Sequence, residues 1–156
     1  SYKASEFEEN GINSVFVQDN HSFSSKGVLR GLHFQIKPMA QGKLVSVITG
    51  SVWDVAVDLR TDSVTFGEAY GLVLSGENKK MFYIPQGFAH GFVTLENNTH
   101  FLYKCTADYS TDHEQGIRYD DVELNINWPL KNVLVSERDK NLTTLSDLRR
   151  KLPEWT

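Results

Sequence analysis

Val28-Leu-Arg-Gly-Leu-His-Phe-Gln35 and Gly42-Lys-Leu-Val-Ser-Val-Ile48 are the two runs that most strongly indicate the fold. Both are short, largely apolar and bounded by turn residues, as strands are. Each also carries polar side chains that are costly to bury unless they are paired or used, among them His33 and Lys43. A histidine that transfers protons and a lysine that favours developing negative charge suit chemistry next to a carbonyl group.

Strand-like runs continue along the whole chain. Alternation and turn residues predict strands at 14–19, 28–35, 42–48, 52–59, 68–74, 80–84, 91–95, 100–106 and 116–119. The first strand is expected to end in a turn at residues 20–22, and Gly50-Ser51 to close a two-residue hairpin.

Helices are predicted at only a few places. These are residues 3–10, a segment that opens with the capping box Ser136-Glu-Arg-Asp139, and a turn from about Thr144. Many short strands with glycine and asparagine turns indicate an all-β sandwich or jelly-roll barrel. The chain shows no linker or repeat, so residues 1–156 are expected to form one domain.

The composition argues against several classes of protein. The formal net charge is −4 and no basic tract occurs, which argues against a nucleic-acid partner. No apolar run reaches the ~18 residues of a membrane span. The single cysteine, Cys105, allows no intrachain disulfide and suits a reducing compartment, so we expect a cytoplasmic protein. Dinucleotide, P-loop and serine-hydrolase motifs do not occur.

The two opening strands allow two interpretations of His33 and Lys43. Alternation puts His33 and Gln35 on one face and Arg30 on the other, unless Gly31 permits a bulge. If the two strands are neighbours, His33 and Lys43 can point into one cavity. It is equally well supported that His33 is a hydrogen-bonded core histidine and Lys43 a surface lysine.

Four other polar residues also have two interpretations each. Tyr103 alternates with apolar neighbours and should face the interior, where its hydroxyl either donates a proton or only packs. His90 lies in a run rich in glycine and aromatic residues, and taken alone this run favours a structural histidine. Tyr109 is either a loop aromatic or a platform for a flat ring. Asp139 either orients a distant histidine or only completes its capping box.

A metal site is not expected. His33-Phe34-Gln35 has glutamine where metal-binding barrels want a second histidine, and glutamine is a poor ligand for zinc or iron. We therefore predict no metal and no cofactor.

Taken together, these runs resemble the dTDP-4-dehydrorhamnose 3,5-epimerase family, which are cupin-type jelly rolls of sugar-nucleotide metabolism. The resemblance extends from about Phe7 to about Leu142. It rests on motifs in a fixed order: Val17-Gln-Asp-Asn-His21, Val28–Gln35, Gln41-Gly-Lys-Leu44, Asp54-Val-Ala-Val-Asp-Leu-Arg60, Thr65-Phe-Gly67, Ile84-Pro-Gln-Gly-Phe-Ala-His-Gly-Phe92, Tyr103-Lys104 and Asn127-Trp-Pro129.

The resemblance implies a cofactor-independent isomerase of rhamnose biosynthesis. Its substrate is dTDP-4-dehydro-6-deoxy-glucose, whose C3 and C5 protons are acidic because both carbons flank the C4 ketone. A base removes one proton to give an enolate, and a donor on the opposite face inverts the centre. By resemblance His33 is the base, Tyr103 the acid, Lys43 the cation near the C4 oxygen and Asp139 the carboxylate that pairs with the histidine.

The resemblance also implies the substrate contacts. They are Gln18, Asp19, Asn20, Arg30, Lys43, His90, Tyr109, Glu114 and Arg138. Family members usually form homodimers and begin with about thirty further residues, which carry a Gly-Asp-x-Arg-Gly-x-Phe-like motif that we do not find here. Two alternatives stay open: an epimerase that inverts only one centre of a related dTDP-4-keto sugar, and a non-catalytic sugar-nucleotide-binding barrel.

Overall fold

The computed structural model describes residues 2–152, so residue 1 and residues 153–156 of the predicted domain lie outside the described residues. The strands are β1 Gln18–Ser24, β2 Val28–Gln35, β3 Lys43–Thr49, β4 Ser51–Asp58, β5 Ala69–Ser75, β6 Met81–Ile84, β7 Phe88–Thr94, β8 Thr99–Cys105, β9 Glu114–Gly116 and β10 Leu134–Val135. The helices are α1 Ala4–Glu9, α2 Glu137–Lys140 and α3 Leu145–Leu148. No helix of the described residues is long and apolar enough to cross a membrane.

The strands form two sheets that face each other. One sheet has the order β1-β8-β3-β6, and the other has the order β10-β2-β7-β4-β5, with β9 also paired to β2. The pairs are antiparallel except for β10 with β2. This is an all-β jelly-roll barrel with short helices toward both ends of the chain, as the sequence predicts.

The larger sheet is covered on both faces by apolar side chains. Between the sheets lies a cluster that includes Val45, Phe92 and Phe101. On the other face, Leu32 and Val57 pack against the C-terminal segment, which contributes leucines 145, 148 and 152. Burying apolar side chains on both faces explains why the central strand β4 reads as a nearly continuous apolar run.

Two predictions about turns are wrong. Residues 20–22 are not a turn but the middle of β1, which pairs with β8, so that Asn20 lies opposite Tyr103. Gly50 does not close a hairpin either, because β3 and β4 belong to different sheets and the chain crosses between them there. A Cβ on Gly50 would lie 2.3 Å from the Thr99 hydroxyl, and its φ of +78° favours glycine, so the crossing needs this residue.

The structure contains the bulge on which the placement of Arg30 depended. The pairing of β2 with β7 shifts register between Arg30 and His33. Gly31 lies at the shift with a φ of +122°, and a Cβ there would come within 2.6 Å of the Gly91 Cα. The two strands therefore approach closely only because both residues are glycine, and the shift turns Arg30 and His33 to the same side.

The predicted helix caps are confirmed. The Ser136 hydroxyl accepts a hydrogen bond from the Asp139 amide at the start of α2, and the Thr144 hydroxyl does the same for Asp147 in α3. The first cap holds Asp139 in the first turn of α2, where its carboxylate reaches Gly31 and His33 of β2.

Candidate active site

A cleft with two adjoining compartments opens between the sheets. Five residues line both compartments: His33, Lys43, Tyr103, Tyr109 and Glu114. One compartment is completed by Gln18, Asn20, Phe34, Gln35, Gln41 and Cys105. The other is completed by Arg30, His90, Gly91, Phe92 and Arg138. The structure thus brings together predicted site residues from six strands, a loop and a helix.

His33 is held by Asp139 from behind. Its Nε2 lies 2.9 Å from Oδ1 of Asp139, and the carboxylate can only accept, so Nε2 carries the proton and Nδ1 keeps a lone pair. The other carboxylate oxygen accepts the Gly31 amide at 3.1 Å, in the bulge itself. Burial raises the pKa of the Asp139 carboxyl, but the hydrogen bonds from His33 and Gly31 outweigh it and the pKa lies below its usual range. The carboxylate therefore stays ionised and fixes the histidine tautomer.

Tyr103 and Lys43 lie on the sheet opposite His33. They belong to the neighbouring strands β8 and β3, in which Tyr103 pairs with Val45 and Lys43 with Cys105. Burial raises the pKa of the Tyr103 hydroxyl, so the group keeps its proton at neutral pH. Burial lowers the pKa of Lys43, which the negative groups around it partly oppose. The strands of His33 and Lys43 are not neighbours, since β2 and β3 belong to different sheets, but the two residues line one cleft across the barrel.

A second histidine and carboxylate pair lies deeper in the barrel. Nε2 of His90 is 2.9 Å from Oδ2 and 3.0 Å from Oδ1 of Asp54. Asp54 is fully buried and His90 nearly so. Burial lowers the pKa of His90 and raises that of Asp54, since both charged forms are costly in the interior. Sequence analysis did not select Asp54, although its place in an apolar strand beside Ala56 was the signal that could have found it.

The mouth of the cleft carries a hydrogen-bonded cluster. The Tyr109 hydroxyl donates to Glu114 at 2.6 Å, and the Arg138 guanidinium donates to the same carboxylate oxygen. Burial raises the pKa of Glu114, but the hydrogen bonds from Tyr109 and Arg138 lower it by more. The pKa therefore lies below its usual value, and the carboxylate is ionised. Arg30 is exposed and has one side-chain partner, the Ser24 hydroxyl at 3.3 Å. Its guanidinium is therefore free to bind an anion.

Gln18 and Asn20 point into the cleft, but Asp19 does not. Gln18 donates to Asn20 at 3.0 Å and accepts the Tyr109 amide at 2.7 Å. Asp19 lies between them on the strand, and its side chain therefore faces outward, where it pairs with Lys104 at 2.8 Å. Asp19, which the resemblance places among the substrate contacts, therefore does not line the cleft of this chain.

The polar groups of the Gln35 side chain bind the backbone rather than a metal ion or a ligand in the cleft. Its amide binds three backbone groups, Met39 and Asp108 carbonyls at 2.6 and 3.1 Å and the Ser110 amide at 2.7 Å. No group of three or more His, Cys, Asp or Glu residues within residues 2–152 has the geometry to hold a metal ion.

Comparison with known proteins gives consistent results. The model of the family described as dTDP-4-dehydrorhamnose 3,5-epimerase matches residues 1–147. A dTDP-4-dehydrorhamnose 3,5-epimerase of Shigella flexneri is 52% identical over 142 residues, which are 90% of this chain and 78% of that protein.

Solved structures agree over nearly the whole chain. A dTDP-6-deoxy-D-glucose-3,5-epimerase of Legionella pneumophila Philadelphia 1, in complex with dTDP-4-keto-L-rhamnose, has a TM-score of 0.93 at 51% identity and covers 97% of this chain and 81% of that chain. A 3'-monoepimerase of Streptomyces bikiniensis in complex with dTDP-quinovose has a TM-score of 0.89 at 29% identity and covers 96% of this chain and 77% of that chain.

Proposed function

Because the chain belongs to the dTDP-4-dehydrorhamnose 3,5-epimerase family, we propose that it inverts C3 and C5 of dTDP-4-dehydro-6-deoxy-glucose to give dTDP-4-dehydro-rhamnose. The chain is an epimerase, and its family, fold and about 50% identity to named relatives support this substrate. The reaction breaks a C–H bond next to the C4 ketone and forms it again on the other face of the ring.

We propose that His33 removes the proton. Its Nε2–H is held by Asp139, so Nδ1 is the atom left to accept a proton, and His33 lines the cleft. The electrons of the broken C–H bond move onto the C4 oxygen, and the enolate that forms is stabilised by the Lys43 ammonium. Tyr103 then gives its hydroxyl proton to the same carbon from the other side. The raised pKa of Tyr103 keeps that proton available at neutral pH.

One observation carries the proposal: the base and the acid belong to opposite sheets. His33 lies on β2 in the larger sheet and Tyr103 on β8 in the smaller one, and both line the same cleft beside Lys43. A sugar ring between them would present one face to each. A two-base inversion needs this arrangement, because a single group would return the proton to the face from which it came.

The mouth of the cleft suits a nucleoside diphosphate. We propose that Arg30 binds the diphosphate, since its guanidinium has free donors that match phosphate oxygens. Tyr109 is half exposed and offers a flat face to the thymine or the sugar. Gln18, Asn20, Glu114 and Arg138 would then supply hydrogen bonds around it, and His90 would close the inner end.

The wider setting is also proposed. We propose that residues 1–156 act as one domain, that the protein is a homodimer and that it works in the cytoplasm. The buried, unpaired Cys105 is consistent with a reducing compartment. Sedimentation of the purified chain would give the oligomeric state.

Exchange with solvent deuterium tests the function. Incubation of the full chain with the substrate in D₂O should place deuterium at C3 and C5 and give the L-rhamno product, both visible by NMR. Absence of exchange at both carbons would overturn the proposal. Exchange and inversion at one carbon only would assign the single-centre reaction of the Streptomyces bikiniensis enzyme instead.

Tyr103→Phe separates the two half-reactions. The phenylalanine keeps the ring and removes the proton donor, so His33 should still exchange the substrate proton with solvent while inversion nearly stops. Wild-type levels of inversion would show that Tyr103 is not the acid. Tyr119→Phe is the matched control, because Tyr119 does not line the cleft.

A further inference from the structure

The segment of residues 106–113, called here the Tyr109 loop, joins β8 to β9 and crosses the mouth of the cleft. Tyr109 is the residue of this loop that lines both compartments. Its side chain is 48% exposed, and its hydroxyl binds Glu114. Because the ring is half exposed and lies on a loop, its position depends on how firmly the loop backbone is held.

Gln35 holds the middle of the Tyr109 loop. The side chain is only 5% exposed. Its amide nitrogen donates to the Asp108 carbonyl at 3.1 Å, and its oxygen accepts the Ser110 amide at 2.7 Å, so the two bonds bracket Tyr109. The second amide hydrogen goes to the Met39 carbonyl at 2.6 Å. Gln35 is also two residues from His33 on the same strand.

Gln41 holds the start of the same loop. Its amide nitrogen donates to the Ala107 carbonyl at 2.7 Å, and it too is almost fully buried. Next to it, the Gly42 amide donates to the Thr106 hydroxyl and the Thr106 amide donates to the Gly42 carbonyl. At the far end of the loop, the Ile36 amide donates to the His113 carbonyl at 3.0 Å.

We infer that Gln35 and Gln41 are positioning residues for substrate binding: their amides fix the Tyr109 loop, and through it the Tyr109 ring, at a set distance from His33 and Lys43. The inference rests on the proposed function of the cleft. Gln35 is on the strand that carries His33, and Gln41 lies just before the strand that carries Lys43. The backbone that holds the Tyr109 ring is therefore tied to the strands of these two residues. Gln35, at the position where metal-binding barrels have a second histidine, therefore holds a loop in place.

Removing the amide should affect binding more than chemistry. Gln35→Met keeps the length and apolar stem of the side chain but leaves the Asp108 carbonyl and the Ser110 amide without their partner. The loop then samples other conformations, and Tyr109 is out of place for part of the time. His33, Lys43 and Tyr103 keep their own strands and partners. We expect KM to rise about tenfold, which corresponds to about 1.4 kcal/mol, while kcat changes less than about twofold.

A double-mutant cycle tests the inference. The variants are Gln35→Met, Gln41→Met, Tyr109→Ala and the two combinations with Tyr109→Ala, and the readouts are KM, kcat and the Kd of thymidine diphosphate by calorimetry. If the glutamines act through Tyr109, each Gln→Met change should weaken binding when it is made in the wild type. Made in Tyr109→Ala, the same change should weaken binding by less than about a further twofold. Additive losses, or a loss confined to kcat, would overturn the inference.

Two controls keep the result interpretable. Gln86→Met changes an exposed glutamine outside the cleft and should leave KM and Kd unchanged. Thermal unfolding of every variant checks the fold, and if Gln35→Met does not fold, Gln41→Met carries the test. Failure of the proposed function is distinguished because thymidine diphosphate binding needs no turnover: a cycle that is non-additive in Kd supports the positioning role even when no proton exchange occurs.

Discussion

The barrel contains two histidine and carboxylate pairs with nearly equal hydrogen-bond lengths and different surroundings. His33 and Asp139 are joined at 2.9 Å, with 24% of the histidine side chain and 6% of the aspartate side chain exposed. His90 and Asp54 are joined at 2.9 Å, with 6% and 0% exposed. The first pair is open to the cleft through His33, whereas the second is buried at its inner end, where only His90 lines the wall.

The difference in burial decides what each pair can do. Hydrogen bonds from two donors keep the Asp139 carboxylate ionised despite partial burial, so it supports a histidine that gains a proton during turnover. Full burial disfavours the charged forms of both His90 and Asp54. A pair that resists charging is a poor proton acceptor, but its hydrogen bonds join β4 to β7. The same two residue types therefore serve chemistry in one place and structure in the other.

Of the changes that distinguish the two pairs, His33→Ala should have the largest effect. Without the base, kcat should fall about 10³-fold, the usual contribution of a positioned general base. Thymidine diphosphate binding should stay nearly unchanged, because Arg30 and the Tyr109 loop remain in place. Steady-state kinetics and calorimetry measure the two effects. His21→Ala, an exposed histidine outside the cleft, is the control. Turnover at the wild-type rate would remove His33 from its proposed role.

Asp54→Ala should act on stability. It leaves the buried His90 ring without its partner, and an unsatisfied buried polar group costs about 1–3 kcal/mol in the free energy of unfolding. Urea unfolding at neutral pH measures this cost. Asp54→Asn keeps an oxygen acceptor for His90 and should lose clearly less. Equal losses in the two variants would show that the hydrogen bond to His90 is not what stabilises the barrel.

Asp139→Asn should act on catalysis with little effect on stability. The amide is neutral and no longer favours the imidazolium, so kcat should fall by about 10²-fold, the lower end of what a general base contributes. KM should change little, because Asp139 lies behind His33 and does not line the cleft. Comparison of kcat and the urea midpoint for this variant and for Asp54→Asn contrasts the two pairs directly. A larger loss of kcat in Asp54→Asn would reverse the roles given to them.

Local patterns were enough to predict much of the fold and of one pair. Alternation and turn residues found most strands, the capped helices and the inward direction of Tyr103, and Gly31 was recognised as the place for a bulge. The failures involve partners distant in sequence. Residues 20–22 of β1 look like a turn because their polar side chains are explained only by pairing with β8, about 80 residues later. Gly50 looks like a hairpin because nothing local shows that β3 and β4 belong to different sheets.

The buried pair was missed for the same reason. His90 alone is an ordinary histidine of a glycine-rich run, and Asp54 alone is one acidic residue in an apolar strand. Their relation exists only through the pairing of β4 with β7, in which Asp54 is opposite Phe92 and Ala56 is opposite His90. The resemblance to a family supplied Asp139 for His33, and it supplied no partner for His90.

The pH dependence of Lys43 should give the smallest effect, and it concerns the cation that adjoins both pairs. Burial lowers the pKa of Lys43 below its usual 10.5, while burial raises that of Tyr103 above 10.0, so the two pKa values move in opposite directions. Because only the ammonium stabilises an enolate, kcat/KM should fall as pH rises through the pKa of Lys43. Lys43→Arg stays charged throughout and should move this decline upward by at least about one pH unit, at a modest cost in kcat. Measuring kcat/KM from about pH 7 to about pH 10.5 checks this, since that interval spans the titration of a depressed lysine. An unchanged decline in Lys43→Arg would assign the titration to another group, and the buried pair next to it would then have to be tested with His90→Gln.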